Sequence, residues 1–233
     1  MNQLKQAFDR TAQLEGYGAP SAVLVPLMEV NGQLCLLFTQ RALHMKHQPG
    51  DYCFPGGHHE ADETPQETAL REVWEEIGIP AEKIEILGPC DIVLSSFGAY
   101  IMPFVGLVHD WSMEEMVLNR DEVEQVLPVP LQFFFETEPR LHIVPLKPDF
   151  PPDFPFHLIV GGKNYRWGKA TMKDWFYLYQ DAVIWGLTAR IVNNVKAILL
   201  AAGYTPSSLK EQQMLTEVKP AKPALVPEDG KKR

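Results

Sequence analysis

Three glutamates stand close together in the first half of the sequence: Glu72, Glu75 and Glu76. On a helix, which turns by about 100° per residue, these side chains share an arc roughly 100° wide. Each like-charge pair at this spacing destabilises a helix by about a few tenths of a kcal/mol. The pattern is typical of a solvated acidic face. It also suits Mg²⁺, which takes oxygen ligands and keeps waters for a phosphate substrate.

The residues around the glutamates favour the cation. Gly56 and Gly57 come shortly before them. Glycine has no side chain, so the backbone can approach a ligand closely there and offer a carbonyl oxygen to a metal. Arg71 is spaced to pair with Glu67 or Glu75, whereas Glu72 and Glu76 have no obvious cation nearby.

A helix over 65–77 is predicted to carry the glutamates. Thr64 and Glu67 have the spacing of a capping box, and Pro65 falls at the first helical position, where a missing N–H has no consequence. Gly78 is a natural left-handed stop. The apolar side expected to pack on a sheet contains Leu70, Val73 and Ile77, flanked by Ala69 and Trp74.

Strands are expected on both sides of this helix. Runs over 22–30 and 33–39 are joined by Asn31-Gly32, a strong hairpin signal. The segment 41–57 contains two prolines and three glycines, which predicts a long functional loop. The other predicted elements are strands over 84–89, 92–94 and 101–108, a helix or loop over 114–127, a hairpin over 156–167, and a helix over 182–202 capped by Asp181 and ended by Gly203.

The chain divides into three parts. Residues 1–18 are predicted to be an N-terminal helical extension, and residues 19–204 to be one domain. Within that domain, the stretch 139–155 holds six prolines in 17 residues, which predicts an irregular arm. Residues 205–233 are rich in Pro, Lys and Glu and are predicted to be a disordered tail.

The composition narrows the class of protein. A formal net charge of −9 disfavours a general nucleic-acid binder, which normally carries a basic surplus. Three cysteines without a CxxC pair indicate neither a disulfide framework nor a thiolate zinc site. The longest wholly apolar run, seven residues from Ala22, is too short to cross a bilayer. We therefore expect a cytoplasmic protein without nucleic-acid or membrane partners, and we leave a homodimer open as its assembly.

Residues 57–79 resemble a known family. They match, without a mismatch, the signature box of the Nudix hydrolases, G-x5-E-x7-R-E-U-x-E-E-x-G-U with U aliphatic. The resemblance implies an α/β (α+β) Nudix fold, a mixed β-sheet sandwiched between helices. It also implies cleavage of a nucleoside diphosphate linked to another moiety. The box is filled by Gly57, Glu63, Arg71, Glu72, Val73, Glu75, Glu76, Gly78 and Ile79.

The resemblance also assigns roles. One to three Mg²⁺ or Mn²⁺ ions would be held by the three helix glutamates, with Gly56 offering its carbonyl. Glu63 and Arg71 would form a supporting ion pair, so the implied catalytic set is Glu63, Arg71, Glu72 and Glu76. The ions would neutralise the diphosphate and make bound water acidic enough to attack. The residue that takes the proton of the attacking water stays open between Glu72 and a loop residue such as Glu122. The alternative for Glu122 is a plain surface glutamate.

The loop before the box bears on the substrate. LLFTQRALHMKHQPGDYCFPGG resembles the second signature of the coenzyme A pyrophosphatase branch, except that Phe38 stands where Leu is usual and Lys46 where Arg is usual. Lysine keeps the charge but loses the planar fork that suits a phosphate. The implied substrate-binding residues are Arg41, Lys46 and Gly57. The alternatives are that Arg41 pairs with a surface acid and that Lys46 is simply solvated.

The predicted function is therefore a metal-dependent pyrophosphatase. It would cut coenzyme A or an acyl-CoA into 3′,5′-ADP and (acyl-)4′-phosphopantetheine, with the proline-rich arm shaping the pantetheine or acyl end. The same chemistry on ADP-ribose, NADH or a dinucleoside polyphosphate is the alternative. A non-catalytic nucleotide-binding regulator is a third hypothesis, although such modules usually lose box carboxylates that this chain keeps.

Overall fold

The computed structural model describes residues 20–60, 62–95, 98 and 100–205. The helical extension over 1–18 and, apart from its first residue, the tail over 205–233 lie outside the described residues. Within the part that is described, no helix is both long enough and apolar enough to cross a membrane.

An eight-stranded mixed sheet forms the centre of the fold. Its strands are β1 (Ser21–Val30), β2 (Gln33–Arg41), β3 (Tyr52–Cys53), β4 (Gly56–His58), β5 (Ile84–Pro89), β6 (Val93–Leu94), β7 (Tyr100–Val108) and β8 (Val123–Pro130). The strand order is β3-β2-β1-β7-β5, and in addition β4 pairs with β1, β6 with β7 and β8 with β2. Strands β1 and β7 are parallel, and the other pairs are antiparallel.

Helices cover both faces of this sheet. Because side chains alternate along a strand, Leu24 and Leu37 lie in the core under helix α1 (Pro65–Ile77), whereas Val25 and Leu36 lie in the opposite core. Helices α2 (Leu131–Glu136) and α3 (Gly186–Ala201) pack into that second core. The predicted arrangement of a mixed sheet between helices is confirmed.

Helix α1 has the predicted bounds because its capping signals are local. Thr64 Oγ1 accepts from the Glu67 N–H, and the Glu67 carboxylate accepts from the Thr64 N–H at 2.7 Å. Gly78 ends the helix in the left-handed conformation, with φ +74°. Val73 and Ile77 are fully buried, but Trp74, which was expected to flank the apolar side, is 56% exposed.

The first two strands of the sheet separate at one end. Near the hairpin at Asn31-Gly32, β1 and β2 pair directly. At the far end, β3 pairs with β2 and β4 pairs with β1, so the segment 52–58 fills the gap between them. The segment predicted as a loop over 41–57 therefore contributes two short strands to the sheet.

A second, three-stranded antiparallel sheet corrects the prediction for the proline-rich arm. Its strands are β9 (Arg140–Leu146), β10 (Ala170–Tyr179) and β11 (Ala182–Trp185), in the order β11-β10-β9. Strand β9 occupies residues 140–146 of the arm that was expected to be irregular. It pairs with β10 alone, and an edge strand tolerates proline because one side of its backbone needs no ladder partner.

Three further predictions were wrong for related reasons. The end of the segment 114–127 belongs to edge strand β8, whose two prolines hide its pattern. The segment 156–167 forms two short 3₁₀ turns instead of a hairpin. The last helix begins at Gly186, after strand β11, so Asp181 does not cap it.

Removal of the cap should measurably weaken the fold. Thr64→Ala deletes the oxygen that accepts the Glu67 N–H, and we expect the free energy of unfolding to fall by about 1 kcal/mol. Urea denaturation followed by circular dichroism measures the change. Thr64→Ser keeps the acceptor and is expected to stay close to wild type. Equal losses in the two variants would mean that the cap does not stabilise α1.

Candidate active site

One guanidinium group organises the acidic side of α1. Arg71 Nε donates to Glu63 Oε1 at 2.7 Å, and Nη1 donates to Glu72 Oε1 at 2.9 Å and to Glu75 Oε2 at 3.0 Å. Nη2 donates to the carbonyl of His58 at 3.2 Å and to Glu63 Oε2 at 3.3 Å. All five N–H groups are therefore used, and the pKa of Arg71 is raised above its ordinary value, chiefly by the hydrogen bond to Glu63.

Glu63 ties the preceding loop to this centre. The ion pair implied between it and Arg71 is present, and Thr68 Oγ1 also donates to Glu63 Oε2 at 2.8 Å. These hydrogen bonds, the one from Arg71 first, lower the pKa of Glu63 to about 2. Thr68 is fully buried, and its hydroxyl also lies 3.1 Å from Nδ1 of His59. His59 thus packs against the base of the helix and does not face solvent freely.

Glu72 lies directly against the glycine pair. A Cβ added at Gly57 would come within 2.2 Å of Glu72 Oε1, so no larger residue fits there without moving the carboxylate. Burial raises the pKa of Glu72, although the hydrogen bond from Arg71 opposes it. The sequence analysis expected Glu72 to lack a local cation, and the ion pair with Arg71 corrects this.

Glu76 is the most enclosed of the three glutamates. Only 8% of the residue is exposed, and its Oε1 accepts from the Gly56 N–H at 3.1 Å. Burial first, and then the nearby charges of Glu72 and Glu122, raise its pKa to about 8, against the hydrogen bonds from the Gly56 N–H and Thr39. A buried carboxylate among like charges is a group that a cation would stabilise.

Gly56 is constrained by its neighbours on β1. A Cβ there would lie 2.4 Å from the Ala22 carbonyl and 2.6 Å from the Val23 Cα. Because Gly56 has no side chain, β4 can lie against β1 while the Gly56 N–H reaches Glu76. The glycine pair therefore has a structural reason that the sequence analysis did not identify.

The loop residue Glu122 lies near the same carboxylates. It is exposed, and its charge raises the pKa of both Glu72 and Glu76. Its backbone carbonyl accepts from the Ala42 N–H at 2.8 Å, which joins the start of β8 to the loop after β2. The structure thus brings Glu122, from a distant segment, to the acidic centre.

The donor set has the chemistry of a divalent-cation site. Among the described residues, no group of three or more His, Cys, Asp and Glu side chains is already gathered to hold a metal. The reason is visible in the contacts, since Glu72 and Glu75 accept from Arg71 and Glu76 accepts from Gly56. Three carboxylates within little more than one turn, one of them buried among like charges, fit a hard cation such as Mg²⁺ or Mn²⁺.

A cavity of about 270 Å³ opens beside this centre. Its walls come from β1, the segment 51–54, the small sheet and the start of α3, and they include Arg41 and Cys53. Burial raises the pKa of the Cys53 thiol to about 11, Glu76 acts in the same direction and Arg41 acts against it. Cys53 is therefore close to both the arginine of the cavity and the buried glutamate of the helix.

The predicted substrate-binding residues lie in different places. Arg41 lines the cavity, and its Nε donates to the His47 carbonyl at 3.1 Å. No ion pair in the described part of the chain involves Arg41. Lys46 is exposed and is not among the residues that line the cavity. Gly57 lies against Glu72 instead. The arm over 139–155 contributes no lining residue, but strand β10, to which its β9 pairs, contributes Met172.

Comparison with known proteins places this arrangement in a family. The NUDIX domain model matches residues 18–142, more than half of the 233-residue chain. The chain belongs to the Nudix family. The resemblance inferred from the signature box is thus confirmed, and the acidic residues of α1 lie within the matched range.

Relatives of this Nudix chain include two coenzyme A diphosphatases. It is 41% identical over 112 residues to Nudix hydrolase 3 of Caenorhabditis elegans, and 36% identical over 119 residues to the peroxisomal coenzyme A diphosphatase NUDT7 of Mus musculus. The two alignments cover 47% and 50% of this chain, respectively. They cover 47% and 49% of the relatives, so the chain spans about half the length of each. The mitochondrial coenzyme A diphosphatase NUDT8 of Homo sapiens is 30% identical over 199 residues, covering 84% of this chain and 76% of that relative. Because the two diphosphatases are named for organelles, a cytoplasmic location stays a prediction.

The buried state of Glu76 predicts an unusual pH dependence of stability in metal-free protein. Folding raises its pKa from 4.5 to about 8, so between these values the unfolded chain loses a proton that the folded chain keeps. The Glu76 carboxyl therefore makes stability fall as the pH rises through this window, by up to about 5 kcal/mol.

The measurement is urea denaturation with a chelator present, from pH 4 to 9. Glu76→Gln is expected to remove most of this fall because it cannot ionise. Glu75→Gln, at a more exposed position on the same turn, is the matched control and should keep the wild-type slope. Parallel curves for wild type and Glu76→Gln would contradict the prediction.

Proposed function

We propose that this Nudix chain hydrolyses the diphosphate of coenzyme A or an acyl-CoA, releasing 3′,5′-ADP and (acyl-)4′-phosphopantetheine. The observation that carries the proposal is the junction at Cys53, where the Arg41 side of the cavity meets the buried Glu76. A substrate in the cavity would have its anionic groups beside the carboxylates that fit a cation. The names of the NUDT7 and NUDT8 relatives support the choice of substrate.

The proposed roles follow from the contacts. Glu72, Glu75 and Glu76 would hold the divalent cation, with the Gly56 carbonyl as a further ligand. When bound, the cation neutralises diphosphate oxygens and makes its water acidic enough to attack. Arg71, held by Glu63, would be a positioning residue that keeps the carboxylates in place without reaching the substrate. Arg41 would bind a substrate phosphate through the guanidinium N–H groups that do not contact His47.

Glu122 is the proton acceptor that we favour. Glu72 already accepts from Arg71 and is proposed as a ligand, which leaves its carboxylate little capacity for a proton. Glu122 is exposed, lies near Glu72 and Glu76, and stands on a loop that a bound water can reach. A base of this kind contributes about 10²- to 10⁴-fold to a rate.

The first experiment is product analysis by chromatography after incubation with coenzyme A and Mg²⁺, beside ADP-ribose at equal concentration. We expect 3′,5′-ADP to form from coenzyme A faster than AMP forms from ADP-ribose. Glu76→Gln should reduce both rates by at least about 10²-fold, because the buried carboxylate would no longer help hold the cation. Glu82→Gln, on the exposed turn after α1, is the matched control.

Two results would change the proposal. Faster hydrolysis of ADP-ribose would keep the Nudix chemistry and overturn the choice of coenzyme A. Full activity of Glu76→Gln would instead overturn the assignment of the acidic centre. Arg41→Gln sharpens the first question, since it should lower turnover of coenzyme A more than turnover of ADP-ribose.

The role of Glu122 has its own test. Glu122→Gln removes the proton acceptor without removing a proposed ligand, so kcat should fall by about 10²-fold or more while KM stays close to wild type. Glu124→Gln, two residues later on β8, is the control. An unchanged kcat in Glu122→Gln would return the role to Glu72.

A further inference from the structure

A second arginine enters the cavity from the C-terminal helix. Arg190 stands on the second turn of α3 and lines the same cavity as Arg41. The two residues are 149 positions apart, 190 minus 41, and no motif in the sequence connects them. Neither the family signature nor the loop signature includes Arg190.

The guanidinium of Arg190 is held in place but has donors to spare. Its Nη1 donates to the Leu94 carbonyl at the end of β6, at 2.8 Å. None of the ion pairs in the described part of the chain involves Arg190 or Arg41. Asp51 and Asp174 also line the cavity, but neither lies within 4 Å of these guanidinium nitrogens in the described residues. A guanidinium has five N–H donors, so Arg190 can bind a phosphate while keeping its tether.

The two arginines are positioned to bind different groups. Arg41 ends β2, whereas Arg190 is tethered to β6, and the segment 52–58, β1 and β7 lie between those strands. Neighbouring strands are about 4.8 Å apart, so the two attachment points are separated by roughly 15–19 Å. Both side chains reach the same cavity from attachment points on different parts of the sheet, and Arg41 is the one next to Cys53 and the acidic centre.

The start of α3 adds to the positive character near Arg190. Gly186, Leu187 and Thr188 form its first turn and line the cavity, and no side chain caps these N–H groups. Backbone N–H groups at a helix start attract anions. The cavity therefore combines a tethered guanidinium with helix-start N–H groups that no side chain caps among the described residues.

We propose that Arg190 binds a second phosphate of the substrate, remote from the diphosphate that is cut. This inference rests on the proposed function, in which coenzyme A carries a 3′-phosphate besides its diphosphate. Lys46, which was predicted to bind substrate, is exposed and lies outside the cavity lining, so it does not offer this contact. Arg190 is then a substrate-binding residue that selects for 3′-phosphorylated nucleotides.

The kinetic test compares coenzyme A with 3′-dephospho-CoA, which lacks only that phosphate. Wild type should show a higher kcat/KM for coenzyme A, mainly through KM. In Arg190→Gln the ratio of the two kcat/KM values should fall about 10- to 100-fold, as expected for the loss of a charge-assisted hydrogen bond. Arg190→Lys keeps the charge but not the fork, and should lie between. Arg140→Gln, an exposed arginine on β9, is the matched control and should keep the wild-type ratio.

A binding measurement separates this inference from the proposed function. Isothermal titration with 3′,5′-ADP and with 5′-AMP, without added metal, needs no hydrolysis. We expect wild type to prefer 3′,5′-ADP and Arg190→Gln to lose about tenfold or more of that preference, with an unchanged melting temperature. Wild type could hydrolyse neither coenzyme A nor 3′-dephospho-CoA and still prefer 3′,5′-ADP in a way that depends on Arg190. In that case the proposed function fails and the phosphate site at Arg190 stands.

Other outcomes overturn the inference itself. An equal loss on coenzyme A and 3′-dephospho-CoA, together with a lowered melting temperature, would make Arg190 a structural tether of β6. No effect of Arg190→Gln on the binding preference, or no preference in wild type, would equally remove the second phosphate contact.

Discussion

The acidic centre depends on one guanidinium group being saturated. Arg71 donates all five of its N–H groups to three carboxylates and one carbonyl, and so joins α1 to the loop at Glu63 and to β4 at His58. Without it, the glutamates of one helix side would repel one another and the loop would lose its attachment. The arginine neutralises part of the charge while Glu76, which it does not touch, remains buried near like charges. That remaining negative charge is one that an additional cation would stabilise.

The glycine pair sets the second constraint, which is one of space. Gly56 lets β4 lie against β1, and Gly57 lets the Glu72 carboxylate lie against the backbone. The helix can approach the sheet this closely only because both positions lack a Cβ. The proximity, in turn, lets the Gly56 N–H reach the buried Glu76. Charge and packing are therefore satisfied by the same few residues.

Local signals in the sequence were sufficient for some of this structure. The hairpin at Asn31-Gly32 and the bounds of α1 depend on residues within four positions of one another, so they could be predicted. Strands β8 and β9 could not, because prolines are compatible with edge strands and the edge is defined only by the assembled sheet. The acidic centre followed the signature box, except for the pairing of Arg71 with Glu72.

The residues that line the cavity could not all be predicted from the sequence. Lys46 is close in sequence to Arg41 and was expected to bind substrate with it, yet it is exposed and does not line the cavity. Arg190 is far along the chain and reaches the cavity because α3 packs on the sheet behind β6. Contacts of this range are made by packing, and a motif of consecutive residues carries no record of them.

The segment that fills the gap between β1 and β2 has an evolutionary consequence. Its first half, at Cys53 and Phe54, lines the cavity, and its second half holds Glu76 through Gly56. An insertion there would shift the chemistry and the recognition surface together, so this wall is hard to vary. The walls from β10 and α3 line the cavity without also holding Glu76. Substitutions that adapt related chains to new substrates should therefore accumulate in the C-terminal half, whereas the segment 52–58 changes slowly.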